Sequence, residues 1–304
     1  MDLEEKKVKR SDLLKNPRNK EWWYIGCFDE SQNLYFSFSL IRSPFIDKFT
    51  FTVFDIRYPK PFIYGKKMYL ESDQKKQQLD LSKNTRGLHI NYFGTGEKGW
   101  FFNLKGKDIS VSLEITPTQP YFTKFDNQFI NQYSLLYFMQ NKVRGEMTIH
   151  GHLYKIDSAL GYYDHCFGRV PRRTSWHWLA VQNKDIAFVS LINYGPYPQL
   201  YTQVLVKTAQ GKSEWVRLSQ QVSFEYTPES KNTRWLLTSC DADLSVDVLM
   251  IAKTREKIPP LLPVIINLQH DEYFVRVKGR VKVDHGWINV GVMHGVLEEH
   301  YGKW

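Results

Sequence analysis

The sequence predicts an all-β fold, and three observations carry that prediction. Apolar and polar residues alternate with a period of two along nearly the whole chain. Phe36, Phe38 and Leu40 alternate with Ser37 and Ser39, and Ile109, Val111, Leu113 and Ile115 alternate with Ser110, Ser112 and Glu114. Turn-rich breaks separate such runs, as in "FGTGEKG" at 93–99, "NYGPYPQ" at 193–199 and "YTPESKNT" at 226–233. Beyond the first fifteen residues no helical period lasts longer than three turns. So many strands require a large sandwich or two barrels.

Taken in order, residues 1–18 form a charged lead-in, helical or disordered, and residues 1–20 hold seven Lys/Arg against four acids. The lead-in lacks the apolar stretch of a secretory signal, so a cytoplasmic location is expected. The alternation then marks strands at 49–58, 88–93, 100–105, 145–156, 176–182, 186–194, 200–208, 215–226 and 244–252, besides those at 36–40 and 109–115. In "EYFVRVKGRVKVD" at 272–284, Arg276, Lys278, Arg280 and Lys282 alternate with Val275, Val277, Val281 and Val283, which gives one basic and one apolar face. The apolar run "IPPLLPVIINL" at 258–268 carries three prolines and is too short to span a bilayer.

With 304 residues and 42% hydrophobic content, the chain can build a full core without metals or disulfides. Cys27, Cys166 and Cys240 follow neither a disulfide framework nor a zinc-ligand spacing. The net charge of +9 raises the question of a polyanionic partner. No nucleic-acid motif accompanies it, so no nucleic acid is expected. The basic strand 275–283 and "RVPRR" at 169–173 leave two readings, a solvated outer face or a transient contact with a membrane surface. Aromatic residues make up 15% of the chain, enough to line a cavity as well as fill a core, and an apolar small molecule is the expected partner.

The chemistry concentrates in "GYYDHCFG" at 161–168. A carboxyl group in an apolar setting stays protonated near neutrality, because desolvation penalises its anion, and can then act as an acid. Asp164 is the candidate acid, with Tyr162 and His165 as accompanying catalytic candidates. Alternation puts Tyr162 and Asp164 on one face and Tyr163 and His165 on the other. Trp22, Trp23 and Tyr24 of "EWWY" and Trp176, His177 and Trp178 of "WHW" are the candidate ligand-binding residues, since indole faces suit a polyene or a carbocation. Trp22 and Trp23 point to opposite sides, so at most one faces a given cavity. A structural ion pair of Asp164 with Arg169, Arg172 or Arg173 is the alternative reading. His150 and His152 of "HGH" share a strand face in this reading, which admits a metal, yet two histidines on a polar face are more often solvated; no metal or cofactor is expected. "DHGW" at 284–287 echoes "DHCFG" and is read as its counterpart in a second half or as coincidence. There is no GxSxG elbow, phosphate-cradling glycine loop or HExxH.

Three stretches carry a family resemblance. "NKEWWYIGCFDESQNLYFSFSLIR" at 19–42 resembles the opening of the hydroxyneurosporene synthase/AttH-like lipocalin family, with its Glu-Trp-Trp-Tyr type motif. "GEMTIHGHLYKIDSALGYYDHCFG" at 145–168 is similar to the segment in which that family crosses from its first half to its second. "GVMHGVLEEHYGKW" at 291–304 is similar to its Glu-containing closing strand. The family often reads Asp-His-Glu/Asn-Trp-Gly where this chain has Asp164-His165-Cys166-Phe167-Gly168. The resemblance implies two tandem lipocalin-like antiparallel β-barrels, over 19–165 and 166–304. It also implies an isoprenoid- or polyene-like ligand, since members hydrate isolated isoprenoid double bonds or guide polyene cyclisations. Acid-assisted hydration, isomerisation or cyclisation at Asp164 and non-catalytic carriage of a lipophilic ligand both remain open.

Overall fold

The computed structural model describes residues 10–303 except 17, 45–46, 59, 69–70, 73–78, 86, 128–130, 171–172, 195–198, 208–211, 219–221, 229–232, 258–266 and 284–285. The lead-in contains one short helix, Arg10–Leu14, tied down by buried Leu13 and by Asn19 Nδ2 donating to the Asp12 carbonyl at 2.6 Å. The remaining regular structure is antiparallel β, and the chain divides into two compact lipocalin-like units between Val170 and Pro171. The expected boundary after residue 165 falls inside the continuous strand His152–Arg169.

In the first unit one sheet runs, in spatial order, through Phe62–Met68, Asp47–Asp55, Leu34–Arg42, Asn19–Asp29, His152–Arg169, Asn131–Ile149, Ile109–Thr116, Gly99–Lys105, Leu88–Thr95, Leu79–Thr85 and Glu71–Ser72; Gln119–Asn127 pairs beside Asn131–Ile149. The second unit's sheet runs through Ser213–Arg217, Gln199–Lys207, Ile186–Asn193, Arg173–Gln182, Met293–Lys303, Asn267–Val283, Ala242–Lys257, Thr233–Ser239 and Ser223–Pro228, with Gly286–Asn289 beside Asn267–Val283. In both, the unit's first long strand pairs with its last. The registers coincide as well: Asn19 faces Arg169 and Trp23 faces His165, as Arg173 faces Lys303 and His177 faces Glu299. Segments 19–27 and 161–169 therefore correspond to 173–181 and 295–303. The correspondence leaves little trace in the sequence, because the corresponding positions share only Trp22 with Trp176, Gly161 with Gly295 and Gly168 with Gly302. The counterpart of 164–168 is 298–302 rather than 284–287, of which Asp284 and His285 lie outside the described residues.

Each sheet encloses its own core, built from alternate residues of most of its strands. In the first, Phe38 stacks on Phe102 at 4.1 Å and Trp100 on Tyr163 at 4.1 Å, so the rings fill the interior with one another. The second core is aliphatic, dominated by Leu and Val around Trp235 and Tyr273. Sharp bends rest on glycine. A Cβ on Gly145 (φ 137°) would lie 2.0 Å from the Ser112 carbonyl, and one on Gly279 (φ 141°) would lie 2.1 Å from that of Asp243.

Two strand expectations are corrected. The run 145–156 is a hairpin, because His150 (φ 49°) and Gly151 (φ 81°) both take the left-handed conformation of a two-residue turn and Ile149 faces His152. His150 and His152 consequently share no strand face. The run 215–226 is two strands, Ser213–Arg217 and Ser223–Pro228, lying at opposite ends of the sheet order. Two of the four cations on the basic strand are paired across the ladder: Arg276 Nη2 with Asp247 at 3.2 Å, and Arg280 Nε with Asp243 at 3.4 Å. Among the described residues, no helix is long and apolar enough to cross a membrane.

Candidate functional site

Strands Asn19–Asp29 and His152–Arg169 sort the first unit's candidates onto two faces of the sheet. Trp23 and His165 point into the core, while Tyr24, Tyr162 and Asp164 occupy the opposite face with Trp22. Asp164 lies directly between Tyr24 and Tyr137 on the neighbouring strands, and it is buried. The Tyr162 hydroxyl donates to Asp164 Oδ2, whereas Oδ1 is enclosed and has no hydrogen-bond partner among the described residues. A carboxyl whose Oδ2 accepts a phenol proton carries its own proton on Oδ1 when neutral. Burial pushes the Asp164 pKa up to about 7, against the smaller opposing effects of the Tyr162 hydrogen bond and the nearby His165 charge. Among the described residues Asp164 forms no ion pair, Arg169 and Arg173 are exposed, and Arg172 lies outside them. The adjacent Cys166 thiol is held well above its usual range by burial, which removes it as a nucleophile.

On the core face His165 stacks on Trp23, with centroids 4.8 Å apart and planes 8° from parallel. Its Nε2 lies 3.2 Å from Glu21 Oε1, and Arg42 Nη1 donates to Glu21 Oε2 at 2.7 Å. The carboxylate can only accept, so Nε2 carries a proton. All four side chains are sealed from solvent. Glu21 and Arg42 were not singled out from sequence. The signal available was a carboxylate beside the aromatic run of "EWWY". His165 is thus separated from Asp164 by the sheet itself, as the alternation required.

The second unit repeats the division. Trp176 and Trp178 share the non-core face, where Trp176 stacks on His300 at 3.6 Å and its Nε1 donates to Glu298 Oε2 at 3.5 Å. Thr174 Oγ1 lies 3.0 Å from His300 Nε2, and burial drives the His300 pKa well below its usual value. By the repeat, Glu298 occupies the position of Asp164. His177 turns to the core face instead. Its Nε2 lies 3.1 Å from Glu299 Oε1 and its Nδ1 lies 2.9 Å from the Tyr194 hydroxyl. Tyr273 donates to Glu299 Oε2. The His177 ring packs against Trp235 at 5.2 Å and Phe224 at 5.3 Å. The nine residues chosen from sequence therefore fall into four groups, two per unit, rather than one. Among the described residues no three His, Cys, Asp or Glu side chains are grouped to hold a metal ion.

No family model matches the chain, and no curated protein matches it in sequence. Solved structures do. Kievitone hydratase from Nectria haematococca superposes with a TM-score of 0.63 at 14% identity, covering 94% of this chain and 90% of that one. A protein assigned as AttH from Nitrosomonas europaea gives 0.59 at 12% identity over 92% of each chain. CghA in complex with Sch210972 gives 0.57 at 11% identity, over 94% of this chain and 89% of that one. At such identities the likeness speaks for architecture alone. The chain has the two-unit β fold of AttH, kievitone hydratase and CghA.

Proposed function

We propose that the protein binds an apolar isoprenoid- or polyene-like molecule at the non-core face of the first unit and that Asp164 protonates one of its double bonds. The observation that carries this reading is a buried carboxyl with a pKa near neutrality, held by one phenol, flanked by two more and unpartnered at the oxygen that bears its proton. In hydration, the Oδ1 proton passes to one alkene carbon and the cation forms on the other. Water adds to that carbon and returns a proton to the carboxylate, so the acid is regenerated. The π-faces of Tyr24 and Tyr162, whose centroids are 5.9 Å apart, are suited to shelter the cation. Loss of a neighbouring proton in place of water addition gives isomerisation, and attack by a second double bond gives cyclisation. Kievitone hydratase, whose architecture the chain shares, is named for the same class of reaction.

The test is incubation with isoprenoid alkenes in ¹⁸O-water and mass spectrometry of the products. Labelled alcohol is expected from the wild type, and Asp164→Asn should reduce turnover by roughly 10²–10⁴-fold while ligand affinity stays within a few fold. Unchanged turnover in Asp164→Asn overturns the acid role. A wild type that co-purifies with a lipophilic compound and turns nothing over is a carrier instead.

A further inference from the structure

The two units place corresponding residues at corresponding points of their cores but differ in access. In the first, Trp23 and His165 are 0% and 1% exposed. Their counterparts in the second, His177 and Glu299, have side chains 18% and 35% exposed. The rim beside them is more open still, since Tyr194 and Tyr226 are each 51% exposed, whereas Trp235 and Tyr273 beneath are buried. Phe224, Tyr226, Trp235 and Tyr273 ring this opening, with Trp235 5.1 Å from Tyr226 and 6.4 Å from Tyr273. An apolar aromatic wall with a few fixed polar groups is the usual composition of a small-molecule site.

The direction of the hydrogen bonds limits what that molecule carries. Tyr273 O–H and His177 Nε2–H both point to Glu299, which accepts. In the neutral imidazole Nδ1 then has only a lone pair, so it accepts the Tyr194 proton across 2.9 Å. The donors of the Glu299–His177–Tyr194 relay are thereby committed within it, and what Tyr194 Oη presents outward is an acceptor. We propose that this opening binds a flat unsaturated molecule bearing a hydroxyl group, which donates to Tyr194 Oη while its ring lies against Phe224 and Tyr226. This site is independent of the acid chemistry at Asp164.

Calorimetric titration at pH 8 with 2-naphthol and with 2-methoxynaphthalene tests the proposal, because the ether keeps the rings and lacks the donor. The wild type should bind 2-naphthol about tenfold more tightly than the ether. Tyr194→Phe, at a half-exposed position where little stability is at stake, should bring the two affinities within about threefold. Asp164→Asn should leave the preference intact. Equal affinities in the wild type, no binding of 2-naphthol, a preference that survives Tyr194→Phe, or one that disappears in Asp164→Asn would each overturn the assignment.

Discussion

Trp23 and His165 face each other across adjacent strands with their rings stacked 8° from parallel, and the imidazole is fixed at Nε2 by Glu21. That stack joins the two motifs most conspicuous in the sequence, and it is sealed inside the first core. Its ionic members are fully buried, so each depends on the others for the solvation that water no longer provides.

Removing the cation from this group should therefore be costly. Arg42→Met leaves the Glu21 carboxylate buried without its 2.7 Å partner, and a loss of ~3–5 kcal/mol is expected in urea unfolding. The double variant Glu21→Gln, Arg42→Met should lose clearly less than the two single losses added together. Simple additivity would show that the pair is not coupled.

Asp164 imposes a pH dependence on stability. Its folded pKa, about 7, lies above the ordinary carboxylate value, so the folded chain holds the proton more tightly than the unfolded one. The stability this contributes is complete below about pH 4 and declines as pH rises towards 7, by up to ~1.4 kcal/mol per pH unit. Unfolding free energies measured from pH 4 to 8 should show a shallower decline in Asp164→Asn than in wild type. Identical slopes would mean that the carboxyl is ionised throughout.

Tyr162 acts against burial at this carboxyl. Because its hydroxyl stabilises the anion, Tyr162→Phe should move the Asp164 pKa further above about 7. A carbon-13 titration of the side-chain carboxyl reads this directly, and a fall in the pKa would contradict the assignment.

The bends at Gly145 and Gly279 should tolerate no side chain. With a carbonyl oxygen 2.0 Å or 2.1 Å from the added Cβ and φ strongly positive, alanine at either position forces the strand apart. A lowering of the melting temperature is expected for Gly145→Ala and Gly279→Ala. Gly87→Ala, also at positive φ but with nothing within 4 Å, should cost distinctly less.

Filling of the first core gives a further measurement. Phe102 packs on Phe38 at 4.1 Å and also approaches Phe49, Phe51 and Tyr92, so Phe102→Ala opens a cavity lined by four rings. A loss of ~3–5 kcal/mol is expected in urea unfolding, and a loss below ~1 kcal/mol would show the interior to be loosely packed.

Alternation made the strand content legible, because a sheet with one buried face writes a period of two into its sequence. Ile109–Thr116 alternates between buried and exposed at every residue, and it was read without difficulty. Where burial is two-sided the period fades. Asn19–Asp29 and Ile186–Asn193 are buried on both faces almost throughout, so their burial follows no period of two. "HG" at 150–151 reads as strand interior because it is not one of the Asn-Gly, Asp-Gly or Gly-Gly pairs that mark a two-residue hairpin turn. At the candidate site, alternation correctly separated Asp164 from His165 and paired Trp176 with Trp178. It could not supply Glu21, Arg42, Glu299 or Tyr273, whose roles exist only through contacts between paired strands.

Each unit joins its first long strand to its last, and this has a kinetic consequence. Glu21 meets His165 across 144 positions of chain, and His177 meets Glu299 across 122. Contacts of such span are entropically the slowest to form, so neither sheet can be completed early, however quickly its local hairpins assemble. The strand pair bearing the proposed acid should thus be among the last ordered during refolding, and the hydrogen-exchange protection of Tyr24 and Asp164 should lag behind that of the hairpin turning at His150–Gly151.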